Sequence, residues 1–288
     1  MAQVGIIGLG IMGSAYAGNL MSAGIQVSGA DPSADAQAKL LNMGGTPHAA
    51  VGEWLADCDL VILALVSPAA LHDVCSQLVQ HLNVNQIVLE TGTFALEDKL
   101  AARKILATKG IHLLDCPVSG TGVQAEKGDI LMMASGDTEA IAKARPLMAH
   151  FTKTIIEAGE FGMGSRLKYV ANHAVALHNA AAAETLAYSD ALGLDRDTTY
   201  TMLSTGAGQS KMSDLRMPLM MSKRYDPPTA SLKMFEKDLS VIGDDLRRLG
   251  LKTPLFDAVD TLYETASAML PQTYDTASVF EVYRQDKQ

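Results

Sequence analysis

Val4-Gly5-Ile6-Ile7-Gly8-Leu9-Gly10-Ile11-Met12-Gly13 decides the fold. Val4 to Ile7 is a short apolar run that reads as a buried parallel strand. From Ile11 to Ala23 the residues Met12, Ala15, Tyr16, Asn19 and Leu20 recur at helical spacing, and Gly24 ends the pattern. Gly8, Gly10 and Gly13 thus form a G-x-G-x-x-G between a strand and a helix. That pattern carries little weight alone, but in this context it describes a turn that cradles a pyrophosphate. Gly8 permits the tight turn, Gly10 lets the backbone approach the phosphates, and Gly13 lets the helix pack close to the strand. The intervening Leu9, Ile11 and Met12 complete the candidate cofactor loop, with helix N–H groups aimed at the anion. A glycine-rich turn with no ligand is the alternative.

Downstream, the first half continues to alternate. Strands are predicted at Gln26–Ala30, Asp59–Leu65, Gln86–Glu90, His112–Asp115, Asp129–Ala134 and Thr154–Glu157. Helices are predicted at Ser33–Met43, Pro68–His81, Glu97–Lys109 and Asp137–His150. This alternation calls for a Rossmann-type α/β domain, a parallel sheet with helices on both faces. Asp31 ends the second strand, about 20 residues beyond the glycines, where an acid binds ribose hydroxyls and repels a 2′-phosphate. No Arg or Lys occurs in the next seven residues, so the expected cofactor is NAD rather than NADP. Leu65 ends the third of the clear strands, and Val66 and Thr93 follow the third and fourth, whose carboxyl ends face the ligand crevice; all three are further cofactor candidates. For a Ser or Thr there, a helix cap is the competing role.

After Gly164 the character changes. Leu167 to Leu192 lacks proline and glycine and reads as one long helix. Everything beyond it reads helical, with breaks at Gly193, Gly206-Ala207-Gly208, Pro227-Pro228, Gly250 and Pro271. Two domains are expected: 1–162, nucleotide-binding, and 163–288, all-helical, joined by that long helix.

Bulk properties narrow the function. The chain has 288 residues, 48% hydrophobic and 19% charged, with a formal net charge of -9. An acidic chain without a long basic run is not expected to bind nucleic acid. No signal peptide or membrane-spanning segment is read. Cys58, Cys75 and Cys116 form neither a CxxC nor a metal spacing, which suggests reduced thiols in a cytoplasmic protein. The seven histidines fall singly, and no metal is expected.

Two segments carry candidate chemistry. Asp115-Cys116-Pro117-Val118-Ser119-Gly120-Thr121-Gly122 packs hydroxyls and glycine N–H groups behind a strand, a nest suited to a carboxylate; an ordinary tight turn fits it too. Gly162-Met163-Gly164-Ser165-Arg166-Leu167-Lys168-Tyr169-Val170-Ala171-Asn172 puts Lys168 and Asn172 on one helix face, with the lysine expected beside an interdomain cleft. A lysine there can cycle between ammonium and amine if its neighbours lower its pKa. In isolation it also fits a solvated surface lysine, as do Lys237 and Asp238 in Phe235-Glu236-Lys237-Asp238-Leu239.

Together, in this order, the segments resemble the β-hydroxyacid dehydrogenase family, which includes 3-hydroxyisobutyrate dehydrogenase, tartronate semialdehyde reductase and L-threonate dehydrogenase; 6-phosphogluconate dehydrogenase is a relative. Gly8 to Gly13 matches the fingerprint. Asp115 to Thr121 matches D-x-P-V-S-G-G, with Thr121 in place of the second glycine. Gly162 to Asn172 matches G-x-G-x-x-x-K-x-x-x-N, and Lys237-Asp238 matches a later K-D pair. The resemblance implies a hydride transfer between a short 3-hydroxy acid, or its semialdehyde, and a nicotinamide. It makes Lys168 the general acid/base and Asn172 the orienting amide. Ser119, Gly120 and Thr121 would hold the substrate carboxylate, and Thr93 and Lys237 would contact the cofactor. It also implies a homodimer or homotetramer. Ala171 stands where many members have Asn, and Lys211, in Gly206-Ala207-Gly208-Gln209-Ser210-Lys211, where several have an aromatic. If Lys211 faces the substrate rather than solvent, a polar or doubly acidic substrate is favoured. An imine reductase on the same scaffold and a non-catalytic dinucleotide-binding protein are the alternatives; the first is expected to replace the lysine, the second to lose it or to gain partner-binding modules, and this chain keeps the lysine.

Overall fold

The structure, a computed structural model, describes residues 2–287. It forms two compact units that divide between Lys168 and Tyr169. In the first unit the chain runs through β1 (Gln3–Ile7), α1 (Ile11–Ser22), β2 (Gln26–Ala30), α2 (Ala34–Asn42), β3 (Thr46–His48), β4 (Leu60–Leu63), α3 (Pro68–His81), β5 (Ile87–Glu90) and α4 (Leu96–Ala107). There follow β6 (His112–Asp115), β7 (Val118–Ser119), α5 (Gly122–Glu126), β8 (Leu131–Ser135), α6 (Thr138–Met148) and β9 (Thr154–Gly159). The sheet order is β3-β2-β1-β4-β5-β6-β8-β7, with β9 on β8.

Pairing is parallel from β3 across to β6, and antiparallel where β8 meets β6 and β7. The central strands are apolar on both sides because both sides are covered. Ile6, Ile62 and Leu89 enter one buried cluster, while Val61, Leu63 and Val88 enter the other. Each such side chain contributes roughly 1.5–3 kcal/mol by leaving water. The order reverses between β1 and β4, and in such sheets ligands bind outside the carboxyl ends at that point.

The long helix α7 (Met163–Ala191) spans the division. The second unit adds α8 (Arg196–Thr205), α9 (Lys211–Ser222), α10 (Leu232–Leu249) and α11 (Pro254–Met269), followed by 3₁₀ turns over Thr276–Lys287. On α10, Leu232, Phe235, Leu239 and Ile242 make the buried stripe at helical spacing, and Gly250 closes the helix in the left-handed region at φ 65°. Ala176, Ala180 and Ala183 give α7 a buried small-residue surface in the same core as Phe235, Tyr263 and Phe280. Arg216 reaches Asp275 through one nitrogen at 2.8 and 2.9 Å, and that carboxylate also accepts from the Thr229 and Ala230 amides.

Several elements differ from the sequence expectation. Helix α7 begins four residues before Leu167, because Gly164 is not a breaker there: a Cβ at that position would lie 2.3 Å from the Met133 carbonyl oxygen. Strand β3 contains Pro47, which cannot donate to a ladder and is tolerated because β3 is the sheet edge. The segment expected as a turn after Asp115 folds instead into β7 and α5. The chain beyond Pro271 winds as 3₁₀ turns rather than α-helix.

All three cysteines are reduced and buried. Burial pushes the Cys58 and Cys75 thiols up to about 12 and raises Cys116 as well, so little thiolate exists at neutral pH. The native protein should therefore show no rapid reaction with a thiol reagent, and the denatured chain should titrate all three. A fast-reacting thiol in the native state would show that one of these pockets opens.

Candidate active site

The fingerprint turn is built by contacts that exclude side chains at two of its glycines. Gly8 has φ 94°, and a Cβ there would lie 2.4 Å from the Ala64 carbonyl oxygen of the neighbouring strand connection. A Cβ at Gly13 would meet the Gly8 carbonyl oxygen at 1.9 Å. Gly10 is different: nothing lies within 4 Å of the place its Cβ would take. It is the N-cap of α1 and offers no side-chain bond to the helix amides, whereas Ser33, Ser67 and Asp137 cap α2, α3 and α6. A helix N-terminus left uncapped beneath open space suits a phosphate, by its N–H groups and its dipole.

The other cofactor candidates line the same carboxyl edge of the sheet. Asp31 follows β2, and its carboxylate accepts from the Leu9 amide at 2.8 Å and the Ser33 amide at 2.8 Å. It thereby ties the fingerprint turn to the next loop. Leu65 and Val66 follow β4, and Thr93 follows β5. Ile11 is 66% exposed and Val66 85%, two bulky apolar groups left in water beside the turn. These residues fit a dinucleotide.

Ser119 closes β7 opposite Leu131. Gly120 has φ 149°, and a Cβ on it would lie 2.5 Å from Ile130 Cγ2. Thr121 has a more structural role than an open nest would give it. Its hydroxyl accepts from the Gln124 amide at 3.3 Å, and its own amide donates to Gln124 Oε1 at 3.0 Å, a capping box that starts α5. Asn19 fastens α5 to α1 by donating to the Ala125 carbonyl at 2.7 Å.

Lys168 and Asn172 lie on α7 four residues apart. In the helical unit, Asn172 is buried and donates to Asp238 Oδ2 at 2.8 Å, and Lys237 pairs with Asp238 Oδ1 at 2.8 Å. One carboxylate thus connects the two candidates of that unit. Lys211 is the exposed first residue of α9, behind the Ser210 capping box. Asp238 adjoins Lys237 in sequence, but nothing local shows that it also meets Asn172. Among the described residues, no helix is long and apolar enough to cross a membrane, and no cluster of His, Cys, Asp and Glu could hold a metal.

Comparison with known proteins covers nearly all of the chain. Residues 3–159 match the domain family described as the NAD binding domain of 6-phosphogluconate dehydrogenase. Residues 162–283 match the NAD-binding domain of NADP-dependent 3-hydroxyisobutyrate dehydrogenase. The chain belongs to the β-hydroxyacid dehydrogenase family. Within the family it is 29% identical to an L-threonate dehydrogenase of Cupriavidus necator, over 98% of this chain and 96% of the relative. It is also 29% identical to a 3-sulfolactaldehyde reductase of Escherichia coli, over 99% of this chain and 96% of the relative. The crystal structure of a 3-hydroxyisobutyrate dehydrogenase from Salmonella typhimurium superposes with a TM-score of 0.89 at 27% identity, covering 98% of this chain and 100% of that one. The matched domain families support a nicotinamide cofactor, and the fingerprint geometry fits one.

The two glycines separate folding from binding. Gly10→Ala adds a methyl to open space at φ -67°, a backbone any residue adopts, so its Tm should stay within about 2 °C of wild type. Its dinucleotide affinity should fall at least about tenfold, roughly 1.4 kcal/mol. Gly13→Ala should lose stability as well as binding. Thermal melts with and without dinucleotide check both, and unchanged affinity in Gly10→Ala would remove Gly10 from the phosphate site.

Proposed function

We propose that this β-hydroxyacid dehydrogenase oxidises a short, polar 3-hydroxy acid, or reduces the matching semialdehyde, with Lys168 as general acid/base. The observation that carries the reading is Lys168 and Asn172 at an i, i+4 spacing on α7, in a chain that matches the family's two domains over residues 3–159 and 162–283. The nicotinamide supplies the hydride acceptor or donor when bound. Lys168 takes the alcohol proton during oxidation and returns it during reduction. Asn172, its amide oriented by Asp238, holds the substrate in register. Ser119 and the Gly120 amide bind the substrate carboxylate; Thr121 contributes more by starting α5 than by its own donors. Thr93 and Lys237 contact the cofactor on the nicotinamide side. Lys211 favours a second polar or anionic group on the substrate. The relatives named for L-threonate and 3-sulfolactaldehyde support that preference, since both compounds are short and richly oxygenated.

Retention of Lys168 also argues against an imine reductase and against a non-catalytic dinucleotide-binding protein. The proposal includes a cytoplasmic homodimer or homotetramer, acting on a small molecule rather than on nucleic acid or a membrane. Supporting it are three unpaired thiols and a helical unit that exposes Tyr188, Leu192, Leu194, Met202, Leu249 and Leu255.

Lys168→Ala should reduce kcat by about 10²–10⁴-fold against a panel of short hydroxy acids, read by absorbance of the reduced cofactor. Its dinucleotide Kd should remain within about twofold. Wild-type turnover in the variant would end the assignment of Lys168.

NAD is the proposed cofactor, with Asp31 as the reader. Two backbone amides hold its carboxylate in place, and the same oxygens keep lone pairs for ribose hydroxyls. A 2′-phosphate meets negative charge there. The ratio of kcat/KM for NAD over NADP should exceed about tenfold and collapse in Asp31→Ala. Equal use of both cofactors by the wild type would overturn the preference.

A further inference from the structure

Beneath the carboxyl edge of the sheet, the first unit buries three charges that the proposed reaction does not use. Glu90, Lys99 and Asp115 are all 0% exposed. Lys99 Nζ lies 2.5 Å from Glu90 Oε2 and donates to Asp115 Oδ1 at 2.8 Å and to the Gly92 carbonyl at 2.7 Å. Glu90 Oε1 accepts from the Gly92 amide at 2.7 Å. Asp115 Oδ2 accepts from the Ser165 amide at 2.8 Å, and Oδ1 from the Ser165 hydroxyl at 2.8 Å. Ser135 completes the set: its hydroxyl donates to Asp115 at 3.1 Å and accepts from the Gly164 amide at 2.9 Å.

The sequence positions of these partners give the cluster its meaning. Gly92 precedes Thr93. Asp115 opens the loop that leads to Ser119 and Gly120. Gly164 and Ser165 are in the first turn of α7, one turn before Lys168. Their amides are capped from β6 and β8 rather than by a neighbouring residue in sequence, and the buried carboxylate sits at the positive end of the helix dipole. Burial pulls the Lys99 ammonium toward lower pKa, but Asp115 and Glu90 outweigh it and hold it charged. Burial raises the Glu90 carboxyl in spite of Lys99. A buried ion cluster is a poor source of stability, because apolar residues of similar volume do as well or better. Its directional bonds do something apolar packing cannot, which is to fix one register among three segments.

We propose that the Glu90–Lys99–Asp115–Ser165 cluster is the positioning device of the active site, setting the axial and rotational placement of Lys168 on α7 together with that of the Thr93 loop. Glu90, Lys99, Asp115 and Ser165 are positioning residues and touch no reacting atom. The inference rests on the reading of Lys168 as acid/base.

Ser165→Ala tests it with the least damage, because it removes one hydroxyl bond and leaves the amide bond to Asp115. Ser189→Ala is the matched control. Ser189 is also a buried hydroxyl on α7, bonded to Thr199 at 2.6 Å, in the helical unit. Both variants should melt a few degrees early. Only Ser165→Ala should lose kcat, by about tenfold, with KM for the hydroxy acid and Kd for the dinucleotide within about twofold. Lys99→Met should lose more, and if it fails to fold the serine pair still decides. Equal kcat in the two serine variants overturns the proposal. Amide hydrogen exchange supplies a readout that needs no turnover: in Ser165→Ala, exchange over residues 164–168 should accelerate at least about tenfold. A wild type inert toward the whole substrate panel sinks the reading of Lys168. In that case exchange alone decides whether the cluster orders the segment, and unchanged protection overturns it.

Discussion

The approach of α1 to the end of β1 leaves no room for a side chain, and the cofactor end of the molecule follows from it. The Gly8 carbonyl points at Gly13 so closely that a methyl group would overlap it. The helix therefore starts immediately at the strand's carboxyl end, with its amides aimed where the chain has just turned. Gly10 alone of the three has open space where its Cβ would stand. Asp31 reinforces the arrangement from the next strand by holding the Leu9 amide. Two steric exclusions and one hydrogen bond thus fix an uncapped helix start at the topological reversal of the sheet, where such folds bind their ligands.

Each unit is also organised around one sealed ionic cluster. In the first it is Lys99 between Glu90 and Asp115; in the second it is Arg216 on Asp275, a pair 6% and 1% exposed. Removing one partner of such a cluster leaves a buried charge without compensation, at a cost of about 3–5 kcal/mol, although the intact cluster adds little net stability. Both clusters bond chiefly to backbone groups of loops and helix starts. Arg216 and Asp275 tie α9, which begins at Lys211, to the segment that leads into α10, which carries Lys237 and Asp238. The polar interior thus governs loop placement, while the apolar clusters hold the sheet and helices together.

What was legible in the sequence was whatever is encoded locally. The β–α alternation, the glycine fingerprint, Pro68 at the start of α3 and Gly250 at the end of α10 are read from spacing and conformational preference. The ordered motifs identified the family. Contacts between segments distant in sequence were not legible. Asp115 meets Ser165 across 50 residues, and Asn172 meets Asp238 across 66. Lys99 looked like any helix lysine, although one signal existed: with Ala102 and Leu106 it falls on the buried stripe of α4, where a charge requires a partner. Gly164 misled for a related reason. Glycine signals a helix break on local grounds, but here the crowding carbonyls of β6 and β8 require it inside a helix.

Asp238 shows how one carboxylate can assign roles to two neighbours at once. By accepting from Asn172 Nδ2, it fixes which way the amide faces, so the Asn172 carbonyl oxygen and the remaining N–H are presented in one known arrangement. By pairing with Lys237, it places that ammonium while balancing its charge. The pair therefore gives the helical unit N–H donors of fixed direction with little net field.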